Sequence, residues 1–304
     1  MWRKTMTDSI RMLLRKISDG DAKEIRNAAL LVLRESKTQK DADFCKSMIK
    51  KLESKRDLIQ LPQSVNGLLV AEDVSQYPEE KYLWRIQEEE ICRSIMNLYK
   101  VANKLQDKGI RYTPTAILWG ESGCGKTELA KYIAYRMELP YIYIRFSALI
   151  DSHLGETSKN LSKIFDFIKK EPCVCCFDEI DAIGLERGQT QDLGEMSRIL
   201  ISLMQEMDRL PNHTVIIGTT NRFDMIDRAL IRRFSFESEI RPFEELEARL
   251  AVQKFLRYAG IDNDTIREYV KTLNGPYPVP IFKVIQRCTE FVVERMLKDI
   301  GSEL

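Results

Sequence analysis

The sequence predicts an α/β fold in which helices flank a parallel β-sheet. Short apolar runs with strand character, the first of them Thr115–Trp119, alternate with longer segments whose apolar residues recur at helical spacing. A glycine-rich stretch at 120–127 directly follows that first run and opens a helical pattern. Residues 1–58 and 242–304 carry helical patterns only. We therefore expect a sheet domain at 79–241, preceded by an N-terminal helical bundle and followed by a C-terminal helical lid.

Composition narrows the class of protein. The chain of 304 residues is 44% hydrophobic and 31% charged, with a net charge of +1. This balance predicts a soluble globular protein of roughly two domains and gives no overall attraction to nucleic acid or anionic membranes. We see no secretory leader and no apolar run of membrane-spanning length, so we expect a cytoplasmic protein without a membrane partner. The seven cysteines lack the paired spacing of a secreted disulfide scaffold.

The N-terminal segment, 1–58, predicts three amphipathic helices. Apolar residues recur at helical spacing from Ile10, from Ile25 and from Phe44. Such a bundle suits docking to a partner or to a neighbouring subunit. Its lysine-rich last helix would also suit nucleic acid or a membrane, but interleaved acidic residues favour a solvated face. Residues 59–78 contain prolines and a glycine and are predicted to be a linker.

The stretch at 120–127, GESGCGKT, fits the phosphate-binding pattern G-x-x-x-x-G-K-[ST]. Its glycines let the backbone turn so that successive N–H groups face an anion. The ammonium of Lys126 suits phosphate and the hydroxyl of Thr127 suits Mg²⁺, at the positive end of a helix. The alternative, a simple glycine-rich turn, is disfavoured by the full match in a strand–loop–helix context. The predicted nucleotide contacts here are Gly120, Glu121, Ser122, Gly123, Cys124, Gly125, Lys126, Thr127 and Glu128.

A helix is predicted before this strand, at 79–108, with Gly109 as its C-terminal cap. In nucleotide-binding ATPases of this arrangement, the segment at the start of that helix usually covers the adenine. Tyr82 and Leu83 are therefore candidate adenine contacts. Ordinary packing of the start of the helix is the alternative explanation for both residues.

A second nucleotide motif follows roughly fifty residues after the phosphate loop. The apolar run Cys173–Phe177 leads into Asp178 and Glu179. Asp178 would hold Mg²⁺ and Glu179 would polarise the attacking water. The next predicted strand, 214–218, leads to Asn221, which we expect to contact the γ-phosphate and that water. A turn-forming asparagine is the alternative.

Three cysteines share the predicted strand before the acidic pair, Cys173, Cys175 and Cys176. We expect buried thiols there. A metal site is the alternative, and it is disfavoured because alternate side chains of a strand point to opposite faces.

Two adjacent arginines, Arg232 and Arg233, follow Asn221 in the segment 227–234. Exposed arginines are commonly only solvated. These two stand at the spacing used by arginine fingers, which neutralise charge on a neighbouring subunit's phosphate.

Together these motifs resemble the AAA family of ATPases, within the AAA+ group, over residues 75–300. The resemblance is carried by GESGCGKT, by FDEIDAI, by GTTN and by DRALIRRF, while LGET at 154–157 resembles the first pore loop. It implies a P-loop NTPase sheet domain with a helical lid, assembled as a ring, usually a hexamer, with ATP and Mg²⁺ bound between subunits. The implied roles are phosphate and metal binding by Lys126 and Thr127, metal and water carboxylates at Asp178 and Glu179, the first sensor at Asn221, and fingers acting in trans at Arg232 and Arg233.

The resemblance is closest to small stand-alone bacterial members, some of which are encoded beside a subtilisin-like protease. We therefore expect an ATP-driven ring that remodels or moves a protein client, with such a protease as a candidate partner. The alternative is a DNA-associated AAA+ switch, such as a transposition or replication factor, for which the basic N-terminal bundle is the support. A simple P-loop kinase is a third class, and it would have no use for fingers acting in trans.

The chain also departs from the family pattern. Cys124 replaces a common threonine, and no glycine separates the two arginines, which leaves open whether one or both reach the neighbour. The pore-loop positions His153 and Leu154 lack the usual aromatic residue, which predicts a weak grip suited to loosely folded clients. Lys283, at the start of the last helix, is either a second sensor or a solvated lysine.

Overall fold

The computed structural model describes residues 8–19, 22–35, 42–54, 61–110, 112–146, 149, 156–184 and 193–302. The chain divides into two compact units, 1–58 and 59–304. In the first, three helices lie where the apolar stripes predict them: α1 (Asp8–Asp19), α2 (Ala22–Glu35) and α3 (Ala42–Ser54). Helix α2 packs against both α1 and α3. Ala28 of α2 and Cys45 of α3 are buried.

The second unit is built on a six-stranded sheet with the order β1-β3-β4-β5-β2-β6. The strands are β1 (Leu69–Glu72), β2 (Thr115–Trp119), β3 (Tyr141–Ile144), β4 (Cys173–Phe177), β5 (Thr214–Thr220) and β6 (Phe236–Glu239). Only β1 is antiparallel to its neighbour, and the other pairs run parallel. The predicted α/β fold with a parallel sheet is confirmed. Parallel strands bring their carboxyl ends to one edge, where a site can form.

Helices cover both faces of this sheet, and three more follow its last strand in the chain. Their bounds are α4 (Ile86–Asp107), α5 (Lys126–Met137), α6 (Glu156–Ile168), α7 (Leu193–Met207), α8 (Glu245–Tyr258), α9 (Asn263–Thr272) and α10 (Ile281–Ser302), with single turns at Asp181–Gly184 and Arg228–Ile231. Buried residues of α6 and α7 form one core with the sheet, and those of α4 and α5 form the other. Helices α8, α9 and α10 enclose a third core of their own, in the region predicted to be the lid, and we call this region the lid.

The linker predicted at 59–78 is wrong in part, because Leu69–Glu72 is strand β1. This strand pairs antiparallel with β3, with Leu69 opposite Ile144, and Leu69 is 2% exposed. Its short apolar run follows a glycine turn, and its partner strand lies some seventy residues away, which makes it hard to recognise locally.

The helix predicted to start at residue 79 begins only at Ile86. The residues before it include a short 3₁₀ helix, Glu79–Lys81, and an extended Tyr82, and aromatic rings pack along this segment. Trp84 stacks on Tyr132 of α5 with ring centroids 4.8 Å apart, and Tyr82 stacks on Tyr77 at 5.7 Å. Glu88 then caps the helix by accepting the Arg85 N–H at 2.7 Å.

The strand cysteines lie on opposite faces of the sheet, as strand geometry requires. Cys173 and Cys175 belong to one core and Cys176 to the other. Within the described ranges, no cluster of three or more His, Cys, Asp or Glu residues is arranged to hold a metal ion. The expected buried thiols are found, and the alternative of a cysteine metal site gains no support.

None of the helices in the described part of the chain combines the length and the apolar character needed to cross a membrane.

Candidate active site

A cleft of about 290 Å³ lies where the carboxyl ends of β2, β4 and β5 meet the lid. Three groups of residues line it, together with Tyr82. These are Ser122, Gly123, Gly125, Lys126, Thr127 and Glu128 of the phosphate loop; Asp178, Glu179, Thr219, Thr220 and Asn221 after or at the ends of β4 and β5; and Ile281, Phe282 and Ile285 of the lid. The fold thus gathers most of the predicted nucleotide residues in one place.

The phosphate loop takes a path that only glycine allows at its first position. Gly120 has φ of 142°, and a Cβ there would lie 2.3 Å from the carbonyl oxygen of Ile240. Gly123 and Gly125 also have positive φ, of 79° and 93°. Cβ atoms built on these two would lie 3.1 Å and 3.2 Å from lid side chains, so the lid is seated directly on the loop.

Lys126 lies folded over this loop. Its ammonium donates to the carbonyl oxygens of Gly120 at 2.9 Å and of Glu121 at 2.8 Å, and the residue is 9% exposed. Burial lowers the pKa of Lys126. The ammonium has lost part of its hydration and is hydrogen-bonded to neutral carbonyls. It therefore favours binding of an anion, which compensates its charge. The loop therefore fits a phosphate chain.

The metal-binding prediction rests on Thr127 and Asp178, which the fold brings into contact. The Thr127 hydroxyl donates to Asp178 Oδ1 at 2.7 Å, joining the start of α5 to the end of β4. A hydroxyl and a carboxylate are hard oxygen donors of the kind that Mg²⁺ takes alongside phosphate oxygens. The residues present therefore fit a phosphate-bound Mg²⁺.

Glu179 and Asn221 face the same cleft, and both are exposed. Glu179 has a left-handed backbone, with φ of 52°, at the point where the chain leaves β4. Asn221 follows the last residue of β5. Both side chains are therefore open to the cleft, and their roles toward an attacking water stay predictions.

The two candidate adenine contacts, Tyr82 and Leu83, differ in their position relative to the cleft. Tyr82 lines the cleft, whereas Leu83 packs against the core of the lid and does not. Burial, and next the negative charge of Glu128, raises the pKa of Tyr82, so its hydroxyl stays protonated. The lid residues Ile281 and Phe282 also line the cleft and add apolar surface.

The lid contact was absent from the sequence-based prediction. The Phe282 N–H donates to the carbonyl oxygen of Gly123 at 3.0 Å, which ties the start of α10 to the phosphate loop. The apolar pair Ile281 and Phe282, directly after a proline-rich turn, is the one local signal that marks it. Lys283, the next residue, is exposed and is not among the lining residues, so a second-sensor role stays a prediction.

Three loop residues do not line the cleft: Gly120, Glu121 and Cys124. The carbonyl oxygens of Gly120 and Glu121 accept hydrogen bonds from the Lys126 ammonium. Cys124 is 5% exposed, and burial raises the pKa of its thiol. Its reactive thiolate form is therefore disfavoured.

The arginine pair lies outside the cleft of its own chain. Arg233 donates to the carbonyl oxygen of Ala229 at 2.7 Å and pairs with Asp208 at 3.1 Å. Arg232 is exposed, and its side chain makes no ion pair with the described residues. The two arginines thus stand in different environments.

The fold and the cleft define a P-loop nucleotide-binding protein. A model of the family described as "ATPase family associated with various cellular activities (AAA)" matches residues 116–242. A "Proteasome-activating nucleotidase" of Pyrococcus furiosus is 30% identical, over 80% of this chain and 67% of that protein. The chain belongs to the AAA family of ATPases. The predicted resemblance to this family is confirmed.

Other relatives agree with this assignment. A "Proteasome-activating nucleotidase" of Methanoculleus marisnigri is 33% identical over 80% of this chain and 62% of its own length. An "Uncharacterized AAA family ATPase y4kL" of Sinorhizobium fredii is 31% identical over 55% of this chain and 49% of its own length. The chain spans about half to two thirds of the length of such curated relatives.

Among solved structures, a chain of the "Structure of E. coli MS115-1 HORMA:CdnC:Trip13 complex" matches with a TM-score of 0.58. The alignment covers 75% of this chain and 88% of that chain at 17% identity. At this identity the likeness speaks for the fold alone.

Proposed function

We propose that this protein assembles into a ring, a hexamer by resemblance to the family, hydrolyses ATP with Mg²⁺, and uses that hydrolysis to remodel a protein client. The observation that carries the proposal is the incomplete cleft. It holds most of the loop, the acidic pair and Asn221, but none of the described residues that line it is an arginine. Exposed Arg232 is positioned away from it, which favours a site completed by a neighbouring subunit.

Within one chain the residues divide the chemistry among them. Lys126 compensates the charge of the phosphates, and Thr127 and Asp178 would hold the metal. Bound Mg²⁺ neutralises charge on the phosphate oxygens. Glu179 accepts a proton from the attacking water, and Asn221 orients that water.

A protein client is favoured over DNA by the relatives. Two of them are named proteasome-activating nucleotidases and align with 80% of this chain. The net charge of +1 also gives no general attraction to nucleic acid. A subtilisin-like protease is the partner that we propose from the family resemblance. The pore-loop residues His153 and Leu154 lie outside the described residues, so their grip on a client stays a prediction.

The turnover number is expected to rise with protein concentration and to be unaffected by DNA. Assembly completes each site, so ATPase activity per subunit should increase until the ring is saturated. The measurement is phosphate release at several protein concentrations, with and without duplex DNA, and Lys126→Ala serves as the background. A rate per subunit independent of concentration, under conditions where light scattering shows dissociation, contradicts the shared site. Stimulation by DNA would support the DNA-associated switch.

Deleting residues 1–58 is expected to preserve ATP binding and to abolish recruitment of the client. Residues 59–304 form a compact unit that contains every residue lining the cleft. The ATP affinity of the truncated chain, measured by calorimetry, should therefore equal that of the full chain. Co-precipitation of the candidate protease or its substrate should be lost. A truncated chain that does not fold, or that still recruits the client, contradicts a docking role for the N-terminal unit.

A further inference from the structure

Thr219 is a buried polar residue to which the sequence analysis assigns no role. It lies in β5, at the edge where the cleft forms, and is 1% exposed. Its hydroxyl donates to Asp178 Oδ1 at 2.6 Å and accepts the backbone N–H of Glu179 at 3.0 Å. The direction of both bonds is fixed, because an amide N–H can only donate and a carboxylate can only accept. One hydroxyl therefore bridges the two acidic residues.

The same residue holds the unusual backbone of Glu179. A left-handed conformation, here with φ of 52°, costs free energy for a residue with a side chain and persists only where its surroundings fix it. Thr219 binds on both sides of this point. Its hydroxyl accepts the Glu179 N–H, and its carbonyl oxygen accepts the Ile180 N–H at 2.9 Å. The direction in which Glu179 leaves the strand thus depends on Thr219.

Asp178 is held between two structural elements. Its Oδ1 atom accepts the hydroxyl of Thr127, from the start of α5, and that of Thr219, from β5. Two donors on one oxygen restrict the rotation of the carboxylate, as outer partners do for metal-ligating side chains. Thr219 is the donor that does not belong to the phosphate loop, so it can hold Asp178 while Thr127 turns to a metal.

We propose that Thr219 is a positioning residue whose hydroxyl aligns Asp178 for Mg²⁺ and fixes Glu179 for the attacking water. This inference rests on the proposed function, since it assigns Thr219 a role through those two residues. The hydroxyl bridge should therefore act on two separable quantities, the gain in ATP affinity on adding Mg²⁺ and the turnover number.

Two pairs of variants isolate the hydroxyl. Thr219→Val replaces it with a methyl group at nearly constant volume, and Thr219→Ser keeps it. Thr219→Ala compared with Thr219→Ser forms a second pair that differs by the hydroxyl alone, for use if the valine variant does not fold. Thr214→Val is the matched control, because its hydroxyl is buried in the same strand and donates to the Ile168 carbonyl oxygen at 3.1 Å, at the opposite end.

Calorimetry gives ATP affinity with EDTA and with Mg²⁺, and phosphate release gives kcat. In Thr219→Val we expect the EDTA affinity of the parent protein, but a Mg²⁺-dependent gain and a kcat each lowered by about 10-fold or more. Thr219→Ser should stay within about 3-fold of the parent for both quantities, and Thr214→Val should match the parent. Circular dichroism melting confirms that the compared variants are folded.

Parental values of both quantities in Thr219→Val would overturn the proposal. So would an equal loss in Thr219→Ser, which would assign the effect to packing of the methyl group. The two measurements of ATP affinity, with EDTA and with Mg²⁺, remain informative even if the parent protein hydrolyses no ATP. An absence of hydrolysis would contradict the proposed function. The Mg²⁺-dependent gain in affinity would still test whether Thr219 aligns Asp178.

Discussion

Glu179→Gln is expected to bind ATP as the parent protein does and to lose hydrolysis by a factor of about 10²–10⁴. The side chain faces the cleft directly after Asp178 at the end of a fully buried strand. Glutamine preserves its size and its ability to hydrogen-bond a water. It cannot accept the proton that the water must release, so binding and turnover separate.

Glu171→Gln provides the matched control. Glu171 is exposed just before β4 begins, at the opposite end of the strand from the cleft, and its substitution makes the same change in charge. ATP affinity is measured by calorimetry, and hydrolysis by single-turnover phosphate release. Near-parental turnover in Glu179→Gln would remove Glu179 from the role of base. A similar loss in Glu171→Gln would indicate a general effect of charge.

The sheet was predictable where its strands are buried on both faces. Strand β4 is a continuous apolar run, β2 is apolar after its first threonine, and β5 contains an apolar run at 215–217. Such runs are recognised from composition alone. Strands β1 and β6 lie at the edges of the sheet and have only four residues each. An edge strand is stabilised by a neighbour that is remote in sequence, so its local pattern is weak.

The candidate site divides in the same way. The residues from Gly120 to Thr127 and the pair Asp178 and Glu179 were predicted because phosphate and metal chemistry demands particular residue types at fixed spacing, and all of them except Gly120, Glu121 and Cys124 line the cleft. Thr219 and Phe282 were missed, since each acts through a contact that only folding creates: a hydroxyl bridging two carboxyl residues, and a backbone N–H reaching the loop. Neither contact produces a recognisable spacing of residues in the sequence.

For the arginine pair, the sequence left open whether one or both residues reach a neighbouring subunit. The structure shows that the two side chains have different contacts. Arg233 is tied within its own chain to Ala229 and Asp208. Arg232 is exposed beside it. An arginine that must reach another subunit needs a guanidinium without partners in its own chain. We therefore infer that Arg232 is the finger and that Arg233 supports the segment carrying it.

Arg232→Ala is expected to lower ATP hydrolysis by about 10³-fold or more, the effect of removing an arginine finger, with ATP affinity preserved. Arg233→Ala should lose a partly exposed ion pair, which contributes about 1 kcal/mol or less to stability, and should retain most activity. Arg228→Ala is the matched control, because Arg228 is another exposed arginine in the same short segment. Phosphate release and thermal melting separate the effects on activity and on stability.

Mixing the inactive variants Arg232→Ala and Lys126→Ala should then restore part of the activity. Some interfaces of a mixed ring pair an intact phosphate loop with an intact Arg232 from the neighbouring chain. If Arg232 acted within its own chain, no subunit of either kind would be complete, and mixing would restore nothing. The measurement is phosphate release after subunit exchange at varied ratios, which should peak at an intermediate ratio. A flat response with exchange verified, or a fully active Arg232→Ala chain, would refute a finger acting between subunits.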